Sequence, residues 1–332
     1  MVNVNWLGDC VLTLPIFKAI RDRFPQSYIG VMVVGRLKEL FQNNPYIDKV
    51  MVFDEKTTHK NLFSKLRFIK TLRKEKFEVA ILLHRSFTRA LITALAGIKV
   101  RVGWKRLKNR FVLTKEVSSP KEDLHRQDRY FSLLEGIGIP VKEKQVTLFV
   151  DEEEKKKISK FLEGYRLKFS YLVAINPSCN WHLKRWEEER FALVADRLIE
   201  ELNCCVFLIG AKKDSPIAEK VAQIMRNQVV NLCGKTTLKT LVGFLQEMDI
   251  LISCDSGPAH LAATLGKKVL VLFGPTLPSI TGPRGRNVYI IKKEVGCKLP
   301  CYNLNCRDNR CMKEISPEEV YQLAKRIILD KH

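Results

Sequence analysis

The sequence predicts an α/β protein built from two Rossmann-like halves. Three observations carry this. At 332 residues the chain is too long for one typical core and suits two domains of roughly 150 residues each. Short β-branched runs alternate with stretches of helical period along its whole length. Between Val150 and Ser170 a charge-rich stretch interrupts the alternation, which then starts again. Alternation of this kind argues for parallel sheets covered by helices.

In the first half, strands are expected at 28–34, 49–53 and 79–83, with helices at 10–24, 36–43 and 61–75. In the second half, strands are expected at 172–175, 205–209, 229–232, 250–253 and 269–273. Helices fit between and after them at 187–203, 215–226, 237–247 and 257–266. At the boundary, Asp151-Glu152-Glu153-Glu154 followed by Lys155-Lys156-Lys157 reads as a helix whose leading acids suit its dipole. After Ile291 a cysteine-containing loop at 296–312 precedes a last helix at 316–330, opened by the capping residue Ser316, Pro317 and two acids. The domains are therefore 1–155 and 165–332.

The composition, 46% hydrophobic and 28% charged, excludes a disordered chain. The net charge of +21 points to an anionic partner, and residues 1–150 hold 28 basic against 14 acidic residues. No apolar run approaches the ~20 residues of a membrane span, and the first fifteen residues resemble no secretory signal, so a cytoplasmic location is expected. Cys10, Cys179, Cys204, Cys205, Cys233 and Cys254 lie in or beside apolar segments, as buried free thiols in a reducing compartment would.

Five motifs offer chemistry. In Asn5-Trp6-Leu7-Gly8-Asp9, a glycine can form a tight strand-to-helix turn, and Asp9 is either a general base at a sheet's carboxyl edge or a helix cap. In the loop from Asn176 to Trp186, Ser178, backbone N–H groups and Lys184 can hold a phosphate, or the loop is a solvated turn with Trp181 and Trp186 as plugs. Gly210 ends a strand four residues before Asp214, which can accept both hydroxyls of a ribose or simply start a helix.

The segment Asp255-Ser256-Gly257-Pro258-Ala259-His260 places a small polar cluster where a strand stops and a helix begins. Free N–H groups around Ser256 and Gly257 can bind a diphosphate, Asp255 can take sugar hydroxyls, and His260 can donate to either. A hydrolase triad is excluded, because no Gly-x-Ser-x-Gly elbow is present and the three groups crowd one turn. Finally, Cys297, Cys301, Cys306 and Cys311 make either a metal site of unusual spacing or a packed loop, and no metal is assigned.

Basic stretches run through Lys65, Arg67, Lys70, Arg73 and Lys74 and through Lys99, Arg101, Lys105, Arg106, Lys108 and Arg110. The first has Leu62, Leu66, Ile69 and Leu72 opposite, the pattern of an amphipathic helix with a cationic side.

Taken in order, these motifs resemble glycosyltransferase family 9, the lipopolysaccharide heptosyltransferases, and most closely the type that adds the second heptose. The resemblance rests on Gly8-Asp9 through Leu14-Pro15, Asn44-Pro45 before Asp48-Lys49-Val50, Lys184-Arg185-Trp186, Asp255 to His260, and Phe273-Gly274-Pro275-Thr276-Leu277-Pro278. It implies a GT-B fold, two Rossmann-like domains facing across a cleft, and metal-independent, inverting transfer of heptose from ADP-heptose. Asp9 would be the catalytic base. Ser178, Lys184, Gly210, Asp214, Asp255, Ser256, Gly257, Pro258 and His260 would hold the donor. Lys65, Arg67, Arg101, Lys105 and Arg106 would meet the acidic inner core of lipopolysaccharide at the cytoplasmic face of the inner membrane. The same fold with another nucleotide sugar is one alternative. A basic RNA- or membrane-binding protein without activity is another, and the lack of a recognisable RNA-binding motif counts against RNA.

Overall fold

The computed structural model describes residues 1–301, 303 and 305–330; Tyr302 and Leu304 of the expected cysteine loop, and the terminal Lys331 and His332, lie outside the described residues. The chain divides into two compact units, Met1–Phe149 and Val150–His332.

In the first unit the strands are β1 (Gly30–Val33), β2 (Lys49–Val52), β3 (Val79–Leu82), β4 (Val100–Trp104) and β5 (Lys115–Val117). β1 pairs with β2, and β3, β4 and β5 form a second ladder, all parallel. Val2 joins the two ladders by bridging to Met32 on one side and Leu82 on the other. Its flanking backbone bonds, Val2 N–H to Ile81 O and Asn3 N–H to Met32 O, make the N-terminal segment a short central strand. The helices are α1 (Leu7–Leu12), α2 (Leu14–Arg23), α3 (Glu39–Gln42), α4 (Leu62–Lys74), α5 (Phe87–Leu95) and α6 (Arg126–Glu135).

The helix expected at 10–24 is two helices. Pro15 lacks an N–H to continue α1, and Thr13, between the two, donates through Oγ1 to Cys10 O at 2.7 Å. Gly8 lies inside α1 and its backbone is not left-handed, so its expected role in a tight turn is not realised. Nor does Asp9 cap: it sits in the first turn of a helix that begins at Leu7, and Trp6 at the cap position accepts no side-chain bond. The strands β4 and β5 and the helices α5 and α6 were not anticipated.

The second unit contains α7 (Glu152–Lys168), β6 (Tyr171–Asn176), α8 (Glu188–Leu202), β7 (Cys204–Leu208), α9 (Ser215–Ile224), β8 (Val230–Asn231), α10 (Leu238–Gln246), β9 (Ile250–Cys254), α11 (Gly257–Thr264), β10 (Lys268–Phe273), α12 (Pro278–Thr281), β11 (Val288–Lys292), α13 (Arg310–Lys313) and α14 (Pro317–Leu329). Six parallel strands run in the order β11-β10-β9-β6-β7-β8. The four inner strands are buried almost throughout, as expected of a parallel sheet covered on both faces. Tyr321, Val320, Ala324 and Ile327 of α14 and Phe191, Val194 and Leu198 of α8 close one face, each large apolar side chain contributing about 1.5–3 kcal/mol by its burial. Asp151 caps α7 by accepting from the N–H groups of Glu153 and Glu154, and Arg166 and Lys168 end it, so the helix carries acids and bases at the ends its dipole favours.

The six buried cysteines singled out in the sequence are free thiols in the two cores. Among the described residues no helix is long and apolar enough to cross a membrane.

Candidate functional site

Open parallel sheets bind ligands where the strand order reverses, because the connections leave in opposite directions there and a crevice opens at the strands' carboxyl ends. Each unit has one such point. In the first it is the central segment Met1–Asn3, with β1 on one side and β3 on the other. In the second it lies between β6 and β9.

Asp9 stands just beyond the first point and is 6% exposed. Arg126, at the start of α6, donates through Nη1 to Oδ1 and Oδ2, both at 3.0 Å. Tyr130, one turn further along α6, hydrogen-bonds to the same carboxylate, and burial and the Asp9 charge push its phenol well above the usual range. Asp9 is thus an oriented acceptor held by one helix, and Arg126 is half exposed. Arg36 donates to Asn5 O and stacks over Trp6 at 5.4 Å, a cation–π contact at the same rim.

His84, after β3, meets Asn5 at 2.9 Å through Nε2 and accepts the Ser86 N–H at Nδ1. Burial and the nearby Arg89 lower its pKa to about 4, so the ring is neutral at neutral pH. With Nδ1 accepting, its one proton lies on Nε2, and the Asn5 amide satisfies it best with Oδ1 turned inward.

In the second unit the residues expected to hold a donor stand in a ring of strand-end loops made of two hydrogen-bonded clusters, one around Asn176 and Asp214 and one around Asp255. Asn176, the last residue of β6, donates through Nδ2 to Ser178 O (3.1 Å), Ser253 Oγ (3.1 Å) and Ser256 Oγ (2.7 Å). Ser256 is bound to Asn176 and to Ser253 and makes no side-chain cap to α11, and Pro258 has no N–H to offer. The first backbone donors of α11 are therefore not taken by its own cap residue. Ser178 donates to Asp214 Oδ1 at 2.8 Å, and the Ala211 N–H donates to Oδ2 at 3.0 Å. A carboxylate has about four acceptor positions, so Asp214 keeps capacity for hydroxyls.

Lys184 does not stand alone as an ammonium for phosphate: it pairs with Asp255 Oδ2 at 2.6 Å. Thr276 donates to the same oxygen at 2.7 Å and Thr281 lies 3.4 Å from it. Asp255 and Lys184 thus neutralise each other within one loop cluster, and a diphosphate there would meet a lysine already shared with a carboxylate. His260 is buried one turn into α11. Gly210 is required by space, since a Cβ would lie 2.8 Å from Cys233 Sγ and 3.2 Å from Asp214 Cβ. Trp186 is a buried plug whose Nε1–H reaches Ile315 O at 3.0 Å.

Two thiols flank this ring. Cys179 Sγ donates to Trp181 O at 3.0 Å; its interaction with Cys254 first, then Lys184 and Arg185, lowers the Cys179 pKa, whereas the same interaction, then burial, raises that of Cys254.

Among the described residues no group of three or more ligands is arranged to hold a metal. Cys297 is exposed and Cys301, Cys306 and Cys311 are half-buried. Burial, and then the three other thiols, raise the pKa of Cys311. The loop braces the donor ring: Cys301 N–H donates to Pro275 O at 2.8 Å, and a Cβ on Gly274 would lie 2.6 Å from Met312 Sδ. Both contacts fix the segment that aims Thr276 at Asp255.

Of the basic residues expected to meet an acceptor, Arg101 is a staple instead. Its guanidinium donates to the carbonyls of Ile98, Lys99 and Val112, which ties the turn entering β4 to the segment entering β5 and leaves little for a ligand. Arg67, Lys105 and Arg106 are exposed and Lys65 is half-exposed. Arg126, Tyr130, Thr276 and Asn176 were missed by sequence reasoning. Asn176 and Thr276 carried a local signal, one as the polar end of an apolar strand and the other within the Phe273-to-Pro278 motif; Arg126 is 117 residues from Asp9.

The model of glycosyltransferase family 9 (heptosyltransferase) matches residues 65–311. The chain is 27% identical to lipooligosaccharide heptosyltransferase 2 of Haemophilus ducreyi over 99% of its own length and 98% of that protein. It is likewise 27% identical to lipooligosaccharide heptosyltransferase 2 of Campylobacter jejuni, over 99% and 97%. Among solved structures it superposes on a family 9 glycosyl transferase from Veillonella parvula with a TM-score of 0.89 at 23% identity, covering 99% of this chain and 97% of that one. The corresponding values for E. coli ADP-heptose LPS heptosyltransferase II are 0.82, 22%, 99% and 98%.

Proposed function

Because the chain belongs to glycosyltransferase family 9, the heptosyltransferase family, with the GT-B fold of its structural neighbours, we propose that it transfers heptose from ADP-L-glycero-D-manno-heptose to the lipopolysaccharide inner core, as the second heptose. The observation that carries this reading is the hydroxyl- and carboxylate-rich ring beside a helix start at the second unit's switch point, and the first unit's own switch point holds an oriented carboxylate.

Asp9 is the base that takes the proton of the acceptor hydroxyl as that oxygen attacks the anomeric carbon, with inversion. Arg126 and Tyr130 hold it in place. The charge that develops on the departing ADP is met by the N–H groups at the start of α11 and by Lys184. For Lys184 to serve, it must be shared between Asp255 and the phosphate, or Asp255 must pass to the sugar hydroxyls, leaving Thr276 and Thr281 as its fixed partners. Asp214 takes the ribose. No step needs a metal, and turnover undiminished by a chelator is the expected result. Lys65, Arg67, Lys105 and Arg106 meet acceptor phosphates, at the cytoplasmic face of the membrane.

The test is ADP release with ADP-heptose and heptosyl-Kdo2-lipid A, run beside a panel of other nucleotide sugars. Release with ADP-heptose alone among the donors supports the assignment. Turnover of another nucleotide sugar, with none of ADP-heptose, would sink it.

A further inference from the structure

The first unit exposes apolar side chains that its own fold does not use. Leu62 (71%), Phe63 (86%), Leu107 (90%) and Phe111 (94%) stand almost fully in water. On α5, Phe87, Leu91 and Leu95 recur every fourth residue, so they share one side of the helix, and all three are exposed. These residues belong to neighbours. α4 packs on α5, where Arg73 Nη2 donates to Leu95 O at 2.6 Å, and α5 touches the short 3-10 turn Leu107–Asn109. Scattered exposed leucines are ordinary, but seven large apolar side chains over three adjoining elements are not.

Within these elements the charge has one sign. No Asp or Glu occurs from Lys56 to Lys74 or from Val79 to Lys115, and the second stretch carries nine Lys or Arg residues. Lys70, Lys74, Lys99, Lys108 and Arg110 are exposed beside the apolar set. Apolar side chains fringed by unopposed cations fit a bilayer surface: the rings and leucines enter the acyl boundary, and the ammonium and guanidinium groups remain at anionic headgroups. A second copy of this chain would bring cations against cations.

We propose that the face formed by α4, α5 and the turn through Phe111 is a membrane-docking surface for anionic bilayers, with Phe63, Leu107 and Phe111 as inserting side chains. The proposal rests on the reading that the acceptor is membrane-anchored, and supplies the means by which the enzyme reaches it.

The test is sedimentation of the full chain with vesicles of phosphatidylethanolamine and phosphatidylglycerol, compared with vesicles of phosphatidylcholine alone, without donor or acceptor. Binding to the anionic vesicles only, reduced at least tenfold in Leu107→Ser/Phe111→Ser and in Lys108→Glu/Arg110→Glu, is expected. Phe111→Trp should show a blue-shifted emission on the anionic vesicles. Partition unaffected by the Leu107→Ser/Phe111→Ser pair would overturn the proposal. So would a dimer in sedimentation equilibrium that the same pair disperses, since the face would then be a contact between copies. Thermal unfolding of each variant establishes that these surface changes leave the fold intact. ADP release from detergent-dispersed acceptor should be unchanged in Leu107→Ser/Phe111→Ser. Loss of release in every protein would remove the proposed reaction and leave the partition result to decide the surface.

Discussion

Asp9 and Asp255 are both 6% exposed, stand beyond the carboxyl ends of parallel strands at a reversal of strand order, and are paired with a cation, yet their surroundings differ in kind. Asp255 is held by Lys184 from the loop after β6 and by Thr276 and Thr281 from the segment after β10, and Lys184 is itself mostly enclosed. Asp9 is held by one helix, through an arginine whose side chain is 44% exposed. A carboxylate tied into several loops organises a site; one tied to a single solvent-facing cation can exchange partners. Under the proposed function, proton transfer falls to the first unit and architecture to the second, and four measurements can break or sharpen the contrast.

The largest effect is expected from Asp9→Asn, which keeps the shape and removes the base. Turnover should fall by about 10²–10⁴ while the melting temperature moves little, because Arg126 is already in contact with solvent. Turnover within about threefold of the parent would end the distinction. Asp255→Asn should act the other way round. Leaving Lys184 unpaired in a largely enclosed position costs about 3 kcal/mol in urea unfolding, accompanied by weaker donor binding. A variant as stable as the parent would show that the ring does not depend on this pair.

Gly210→Ala tests the packing behind the ring. The added methyl would meet Cys233 Sγ at 2.8 Å, so a loss of about 1–3 kcal/mol is expected together with weaker nucleotide binding; unchanged stability would mean that the strand end is free to shift.

The smallest effect concerns His84. Its folded pKa of about 4 lies below the ordinary value of 6.5, so between those values the unfolded chain binds more protons. Stability should therefore fall as pH drops from 6.5 towards 4, with a slope approaching one proton per molecule, and that part of the slope should vanish in His84→Gln. An identical pH profile in the variant would show that the neutral ring beside Asn5 contributes nothing to the first unit's stability.

The sequence reading was most accurate where local pattern suffices. The four inner strands of the second unit match the apolar runs within about a residue, because each is buried on both faces and so must be continuously apolar, whereas the half-exposed edge strand β11 was not anticipated. β4, read as Val100-Arg101-Val102-Gly103-Trp104, escaped because a charged residue and a glycine interrupt it, and β5 is three residues long and mostly exposed. The site divides in the same way. Ser178, Asp214, Asp255 and Ser256 are legible because turns at strand ends declare themselves locally. The tie of Lys184 to Asp255 and the staple made by Arg101 are not, since nothing in a string of residues tells which oxygen a cation will meet.

By itself, then, the sequence determined the parallel α/β architecture, the loops that bear polar groups at strand ends, and the excess of cations in the first half. Periodicity and turn chemistry are properties of neighbouring residues. Only the tertiary structure decided that Asp9 belongs to Arg126 and Tyr130 rather than to its own helix, that Asp255 is a hub, and that seven apolar side chains of three adjoining elements stand exposed among cations. Those outcomes depend on which distant segments the sheets bring side by side, and burial and charge pairing are fixed only when they do.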